Sequence, residues 1–364
     1  MGARPFMAVN DVLITVAVPA FRRADMLTSL IKSFQRQTCE PAELLIVDDD
    51  IESEAVASVV RMFAETDPRI RLHRNASNLG YYRNFLNILE LARGKYVIIL
   101  GDDDLFASED ALAQYCKAFA DHPEVGYVHS NVLQFNNAYE LDYAFNHYPS
   151  SQVFPPGLPS LRSTWLKSCY IPGIALRKDI DFRGLYPENE MLFPQVELIG
   201  KILMTHSSFG ISQFLVAGRA HDAQLGFTAA PTSEAKDTGP HSVEELGQIV
   251  NELERYCRED LGIAPPPRID RLVNTFFRQA HAAILPTEKL HGGNRRILKT
   301  VAKAIRNDVA TLRDVRFLVY FFASLLLPKR ILLAVKEIRK RQIVRKKFGI
   351  QKRLFESFVQ DIRD

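Results

Sequence analysis

Over the first hundred residues, short apolar runs alternate with segments of helical spacing, and few architectures accept that alternation. Val12 to Val18 (VLITVAV) is rich in β-branched residues and reads as a first strand that ends at Pro19. Leu27, Leu30, Ile31 and Phe34 then fall at i, i+3, i+4 and i+7, one face of a helix for which Asp25 is a candidate N-cap. Glu43 to Val47 is a second strand, Ser53 to Glu65 a second helix, Ile70 to His73 a third strand and Tyr82 to Ala92 a third helix. Gly94 stops that helix, and Tyr96 to Leu100 is a fourth strand. Apolar strands of this kind are buried on both faces of a parallel sheet and joined by right-handed helical crossovers. The expected fold class is α/β, a mostly parallel sheet flanked by helices.

Two of these strands end in Asp-Asp-Asp, at 48–50 and at 102–104. In open α/β sheets, ligands bind beyond the carboxyl ends of the strands. Three adjacent carboxylates repel one another, so a positive partner is expected, and a divalent cation carrying phosphates has the right chemistry. A single triplet would read as a solvated acidic turn. Its recurrence at the same place on two strands argues for a site.

Further along, Asp110 to Ala120 reads as a helix, Val125 to His129 as a strand, and Asn136 to Pro159 as a long loop. Tyr170 to Ile174 begins a returning segment, Met191 to Met204 has helical spacing, and Gly210 to Val216 is a last strand, followed by Arg219 and His221. Residues 228–241 are polar with Pro and Gly and mark a linker after a first domain of residues 1–227. Residues 242–364 read as a helical C-terminal region. The four cysteines are dispersed and form no CxxC pair, which argues against a disulfide framework or zinc site and fits a reducing compartment.

Net charge is only +3, but between Lys329 and Arg353 eleven Lys/Arg face one acid, Glu337. Just before this run lies an apolar stretch, Phe317 to Leu327, too short to cross a bilayer core of about 30 Å. It is either a core helix or an interfacial segment whose basic flank meets anionic headgroups, and the adjacent charge favours a membrane surface over residues 317–353. No nucleic-acid partner is expected.

Taken together, Val18-Pro19-Ala20-Phe21-Arg22-Arg23, the strand ELLIVDD at 43–49, Asn78-Leu79-Gly80, Ala92 to Tyr96 and Gly101-Asp102-Asp103-Asp104 resemble the successive signatures of family 2 glycosyltransferases with the GT-A fold. The resemblance covers roughly residues 10–227, and its Asn78, Asn84 and GDDD form is most similar to bacterial O-antigen and capsule transferases, including abequosyltransferase-like members. It implies an inverting, sugar-nucleotide-dependent enzyme at the cytoplasmic face of the inner membrane. The donor would be a UDP-, dTDP-, GDP- or CDP-linked sugar, and the acceptor a lipid-linked glycan or polysaccharide. Asp48 and Asp49 would meet the base or ribose, Pro19, Phe21 and Arg23 would form the other wall, and Asn78, Gly80 and Arg83 would close the pocket. Asp102, Asp103 and Asp104 would hold Mn²⁺ or Mg²⁺ and the ribose, with Asp102 and Asp104 as metal ligands. Arg219 and His221 resemble an Arg-x-His that reaches the diphosphate or the metal.

Inversion needs a general base. The family's acidic pair aligns with Pro194-Gln195 here, and an acid of the family pattern is replaced by Gly101. Glu197 is the first candidate base and Glu190 the second. Two rival functions stay open, a GT-A-like nucleotidyltransferase and a non-catalytic nucleotide-sugar-binding protein. Pro19-Ala20-Phe21 does not fit the Gly-rich loop of the former, and the intact triplet argues against the latter.

Overall fold

A computed structural model describes residues 13–220, 238–342 and 349–363. The chain divides into two units: residues 1–220 with 348–364, and residues 221–347. The first unit is built around β1 (Ile14–Ala20), which pairs in parallel with β2 (Ala42–Asp48) on one side and β4 (Tyr96–Ile99) on the other. β3 (Ile70–Arg74) extends the sheet beyond β2. The crossovers are α1 (Ala24–Gln35), α2 (Ala55–Ala64) and α3 (Gly80–Leu91), the helices their spacing predicts. β1 runs past Val18 through Pro19 to Ala20. Ala17 is the last β1 residue paired with β4 and its carbonyl accepts from Leu100, so Pro19 faces the side where β4 has already ended and its missing N–H breaks no ladder. Arg23, not Asp25, is the N-cap residue of α1, and Asp25 lies in the first turn, where its charge suits the helix dipole.

The sheet is mixed. Its order is β3-β2-β1-β4-β9-β6-β10-β5, with β9 (Ile174–Arg177) antiparallel between β4 and β6 (Val125–Phe135). β10 (Ser207–Arg219) runs parallel to β6, and the two-residue β5 (Leu105–Phe106) pairs antiparallel with it. α4 (Ala111–Asp121), the short α5 (Leu158–Ser163) and α6 (Pro194–Thr205) complete the unit. The expected loop at 136–159 is largely structured. β7 (Leu141–Phe145) pairs with an extended β6, and β8 (Gln152–Phe154) pairs with β10. Polar Asn131, beyond the strand expected at 125–129, lies fully buried inside β6. Its amide donates to the carbonyls of Tyr148 and Ser212 and accepts from the N–H groups of His147 and Tyr148, which folds the following segment back onto the sheet. The fold also brings two of the dispersed cysteines together. Cys39 and Cys116, distant in sequence, lie with their sulfurs 3.6 Å apart as thiols.

In the second unit, α7 (Thr238–Glu259) begins within the expected linker, the rest of which lies outside the described residues. α8 (Ile269–Asn307) is broken at Gly293, whose φ of +67° no helix accommodates. α9 (Val315–Leu326) and α10 (Lys329–Gln342) follow. The last helix, α11 (Gly349–Arg363), read from sequence with the C-terminal region, packs instead on the first unit. Phe358 and Ile362 join its core, fully buried Phe355 meets Phe135 at 5.7 Å between ring centroids, and Asp361 pairs with Arg36. Truncating a buried Phe removes its transfer free energy and leaves a cavity. Phe355→Ala will therefore lower the urea unfolding free energy of the first unit by about 3–5 kcal/mol. A surface control, Leu354→Ala, at a side chain 62% exposed, will change it little.

Candidate active site

Gly101 to Asp104 follow β4 directly and bring the carboxyl ends of three strands together. The Phe21 N–H, just past β1, donates to Asp102 Oδ2 at 3.0 Å. The Arg23 guanidinium reaches Asp102 Oδ1 at 2.8 Å and Asp103 Oδ2 at 3.1 Å. The Gly101 N–H donates to Asp104 Oδ2 at 2.6 Å, turning that carboxylate back under its own loop. From β10, Arg219 Nε donates to the Asp103 carbonyl at 3.4 Å. Phe21, Arg23, Asp102, Asp103, Asp104 and Arg219, six of the residues expected from the sequence, thus form one constellation.

All three aspartates are buried. Burial pushes the Asp102 carboxyl up to about 7, against the opposing pull of Arg23. Burial, followed by the charge of Asp103, holds Asp104 well above the ordinary carboxylate range. Burial works against the Arg23 charge as well, but the three carboxylates outweigh it and keep its pKa above the usual value. One guanidinium against three acids leaves an electrostatic deficit that a cation relieves, and the carboxylate oxygens are the hard donors that Mn²⁺ or Mg²⁺ takes. The donors are of the right kind, but among the described residues no group of three or more acid, histidine or cysteine side chains is arranged to hold an ion.

The second triplet is divided by the strand period of two. Asp49 turns toward α3, accepting from the Leu79 and Gly80 N–H groups at 2.8 and 2.9 Å and from Asn75 Nδ2 at 2.8 Å. It fixes the Asn78–Gly80 turn, where Asn78 Oδ1 also takes the Gly80 N–H and Gly80 has a φ of +72°. A carboxylate suits the N-terminus of a helix, so Asp49 acts within the protein, with its accepting oxygens already engaged. Asp48 is fully buried, accepts from the Asp50 N–H, and is raised by burial, with Arg74 3.6 Å away. Asp50, itself buried, is the member of this triplet that lines an opening together with an arginine. With Arg22, Glu52, Ser53, Ala55 and Val56 it lines an open cleft of about 420 Å³ beside the end of β1. Arg22 Nε lies 3.4 Å from Asp50 and its guanidinium stacks on Phe21. The Arg22 backbone has a φ of 61°, a left-handed conformation uncommon for a residue with a side chain. Sequence reading set Asp50 and Arg22 aside; the alternation of facing along the triplet was the available signal.

Arg219 is buried between the rings of Phe135 and Tyr139, 4.7 Å from each centroid. Tyr170 stands nearby. Burial, then the charges of Asp104 and Asp103, raise its phenol. A Cβ at Gly218 would lie 1.8 Å from the Tyr170 hydroxyl, so only glycine admits that ring. His221 lies outside the described residues.

The candidate bases lie toward α3 and α6. Tyr81, at the start of α3, donates to Gln195 Oε1 at 3.2 Å, and Gln195 donates to the Ser168 carbonyl, so the residue at the expected acidic position is buried and engaged. Glu197 is buried and pairs at 2.8 Å with equally buried Lys201, so it is neither a surface salt bridge nor a solvent-facing acid. Glu190 is 64% exposed and pairs with Arg83 at 2.7 Å. Tyr82, raised by its own burial and then by Glu197 and Glu190, lies near both. Pro19 stays within the sheet as the partner of Val47.

Residues 15–182 match the family model described as glycosyl transferase family 2. A 92-residue stretch is 38% identical to the GalNAc(5)-diNAcBac-PP-undecaprenol beta-1,3-glucosyltransferase of Campylobacter jejuni, covering 25% of this chain and 29% of that protein. Over 135 residues the chain is 26% identical to a PGL/p-HBAD biosynthesis glycosyltransferase of Mycobacterium tuberculosis, covering 37% of this chain and 52% of that one. The chain thus spans about half or less of the curated relatives it matches. Among solved structures, S. aureus TarS 1–349 in complex with UDP-GlcNAc superposes with a TM-score of 0.54 at 14% identity, covering 96% of this chain and 92% of that chain. The likeness is one of fold, the α/β GT-A architecture expected from the sequence.

Arg23 is the element to test. Because the Asp102 pKa is raised on folding above its unfolded value of about 3.9, its contribution favours the fold at low pH and is lost as pH rises toward about 7. Arg23 opposes that loss. Arg23→Met will destabilise the first unit by roughly 3 kcal/mol at pH 8.5 and by less than half as much at pH 5.5, where Asp102 is protonated, as read by urea unfolding at the two pH values.

Proposed function

We propose, from the premise that residues 15–182 form a glycosyl transferase family 2 domain, that the chain transfers one sugar with inversion from a nucleotide donor to a lipid-linked glycan or polysaccharide acceptor. The observation that carries this reading is the buried aspartate triplet, tied to the ends of β1 and β10 by Phe21, Arg23 and Arg219. The Campylobacter relative, a glucosyltransferase of an undecaprenol-linked glycan, and TarS bound to UDP-GlcNAc support a polyprenol-linked acceptor and a nucleotide-sugar donor. Synthesis of a bacterial surface polysaccharide, as a peripheral protein on the cytoplasmic face of the inner membrane, follows from that acceptor.

In this reading the nucleoside occupies the cleft of Arg22 and Asp50, with Pro19 and Phe21 behind it. Asp102 and Asp104 hold a divalent ion against the diphosphate, where it would offset the charge of the leaving nucleotide as a Lewis acid. Arg23 opposes the burial that raises Asp102 and orients the Asp102 and Asp103 carboxylates. Arg219, fixed between two rings, presents a guanidinium to a phosphate oxygen. Glu190, the accessible acid, takes the acceptor hydroxyl proton. Glu197 and Lys201 hold α6 in place. Asp48 and Asp49 keep the strand end and the Asn78–Gly80 turn in shape.

A panel of UDP-, dTDP-, GDP- and CDP-sugars with Mn²⁺ or Mg²⁺, scored for nucleotide release and product anomeric configuration, tests the reaction. Asp102→Asn and Asp104→Asn will each lower turnover by on the order of 100-fold and weaken metal-dependent nucleotide binding in calorimetry. Glu190→Gln will lower kcat by about 100-fold or more with nucleotide affinity retained. If the unaltered protein binds no nucleotide with or without metal, the reading fails. If it binds but releases none with any acceptor, the non-catalytic alternative stands.

A further inference from the structure

α9 buries one side and leaves the other bare. Phe317 and Ser324 are buried, and Phe317, with partly buried Tyr320 and Phe321, packs on the Ala282, Leu285, Ile297 and Val301 cluster of α8. The opposite side carries Val315, Val319, Phe322 and Leu326 at i, i+4, i+7 and i+11, exposed by 74, 60, 51 and 73%. A solvent-facing helix side ordinarily carries polar residues. Of sixteen exposed large hydrophobic residues among the described ones, ten fall between Val309 and Ile338, so this is a patch and not scatter. α10 continues it with Ile331 and Ile338, 45 and 55% exposed.

The border of the patch is positive. Arg313, Arg316, Lys329 and Arg330 are exposed around it, α9 contains no acid, and the basic run from Lys329 to Arg353 follows in the sequence. A twelve-residue helix is about 18 Å long, well short of a bilayer core, and no helix among the described residues is long and apolar enough to cross a membrane. Two copies meeting through this face would set like charges against each other. An anionic bilayer supplies apolar depth for the valines, Phe322 and Leu326, and phosphates for the cations.

We infer that the exposed face of α9, continued by α10, is the surface by which this chain docks in the plane of an anionic bilayer. The inference deepens the membrane reading above by naming its surface and its lipid chemistry. The full chain is sedimented with phosphatidylglycerol-containing vesicles and with pure phosphatidylcholine vesicles. It will bind the former and not the latter, and lose binding in high salt. Lys329→Ala/Arg330→Ala will weaken binding about 30-fold. Val319→Asp/Phe322→Asp will weaken it by on the order of 100-fold, with unchanged circular dichroism and unchanged nucleotide binding. In a Phe322→Trp variant, vesicles will shift the new fluorescence to the blue. Vesicle binding without donor turnover would leave the docking surface standing and remove the catalytic reading. Absent vesicle binding, equal binding by the Asp variants, or self-association abolished by those variants without any vesicle binding would overturn the inference.

Discussion

The contact on which the site depends is that of Arg23 with Asp102 and Asp103. A carboxylate moved out of water is costly unless a charge and hydrogen bonds replace the lost solvent. Here three lie side by side beyond β4, and the groups that make this tolerable come from elsewhere in the chain. The Phe21 N–H and the Arg23 side chain arrive from the end of β1, some eighty residues earlier. The parallel pairing of β1 with β4 places these groups opposite one another, since Ala17 and Ile99 are register partners and both chains leave the sheet soon after. The sheet thus brings one cation to three buried acids.

Much of this was legible. Apolar runs alternating with helical spacing marked the parallel core, and the acids at two strand ends marked where the candidate site lies. What sequence left open was which member of each triplet faces where. Asp48, Asp49 and Asp50 look equivalent on paper, yet pleating sends Asp49 to the N-terminus of α3 and leaves Asp50 to Arg22. β6 to β8 were hidden for a different reason. Their pairing is held by a buried Asn131 and by strands that sit far from their partners in sequence, and no local periodicity reports such contacts. Cys39 and Cys116 met for the same reason, one in the loop after α1 and the other on α4.

The base is where local sequence and tertiary structure diverge most. Glu197 stood out as an acid on an apolar helix, which is a good description of a buried ion pair as well as of a catalytic group. Lys201, one turn on, decides between them. Removing one partner of a buried pair strands a charge and costs several kcal/mol, so Glu197 and Lys201 depend on each other within α6. Gln195 joins α6 to Tyr81 of α3 and to the Ser168 carbonyl. The accessible acid, Glu190, lies on the segment before α6, in a solvent-exposed pair with Arg83.

The C-terminal helix gives the chain order a physical meaning. α11 packs its Phe355 on Phe135, and Arg363 lies 5.4 Å from the Tyr139 ring. Those two rings are the ones that enclose Arg219, and Tyr139 is further held by Ser29 at 2.6 Å. A guanidinium without a carboxylate partner keeps its position only if the walls around it are fixed, so the orientation of Arg219 toward the Asp103 carbonyl depends on residues near the end of the sequence. The second unit, with its bare apolar face, is consequently an insertion between two segments of the first and is covalently held at both of its ends.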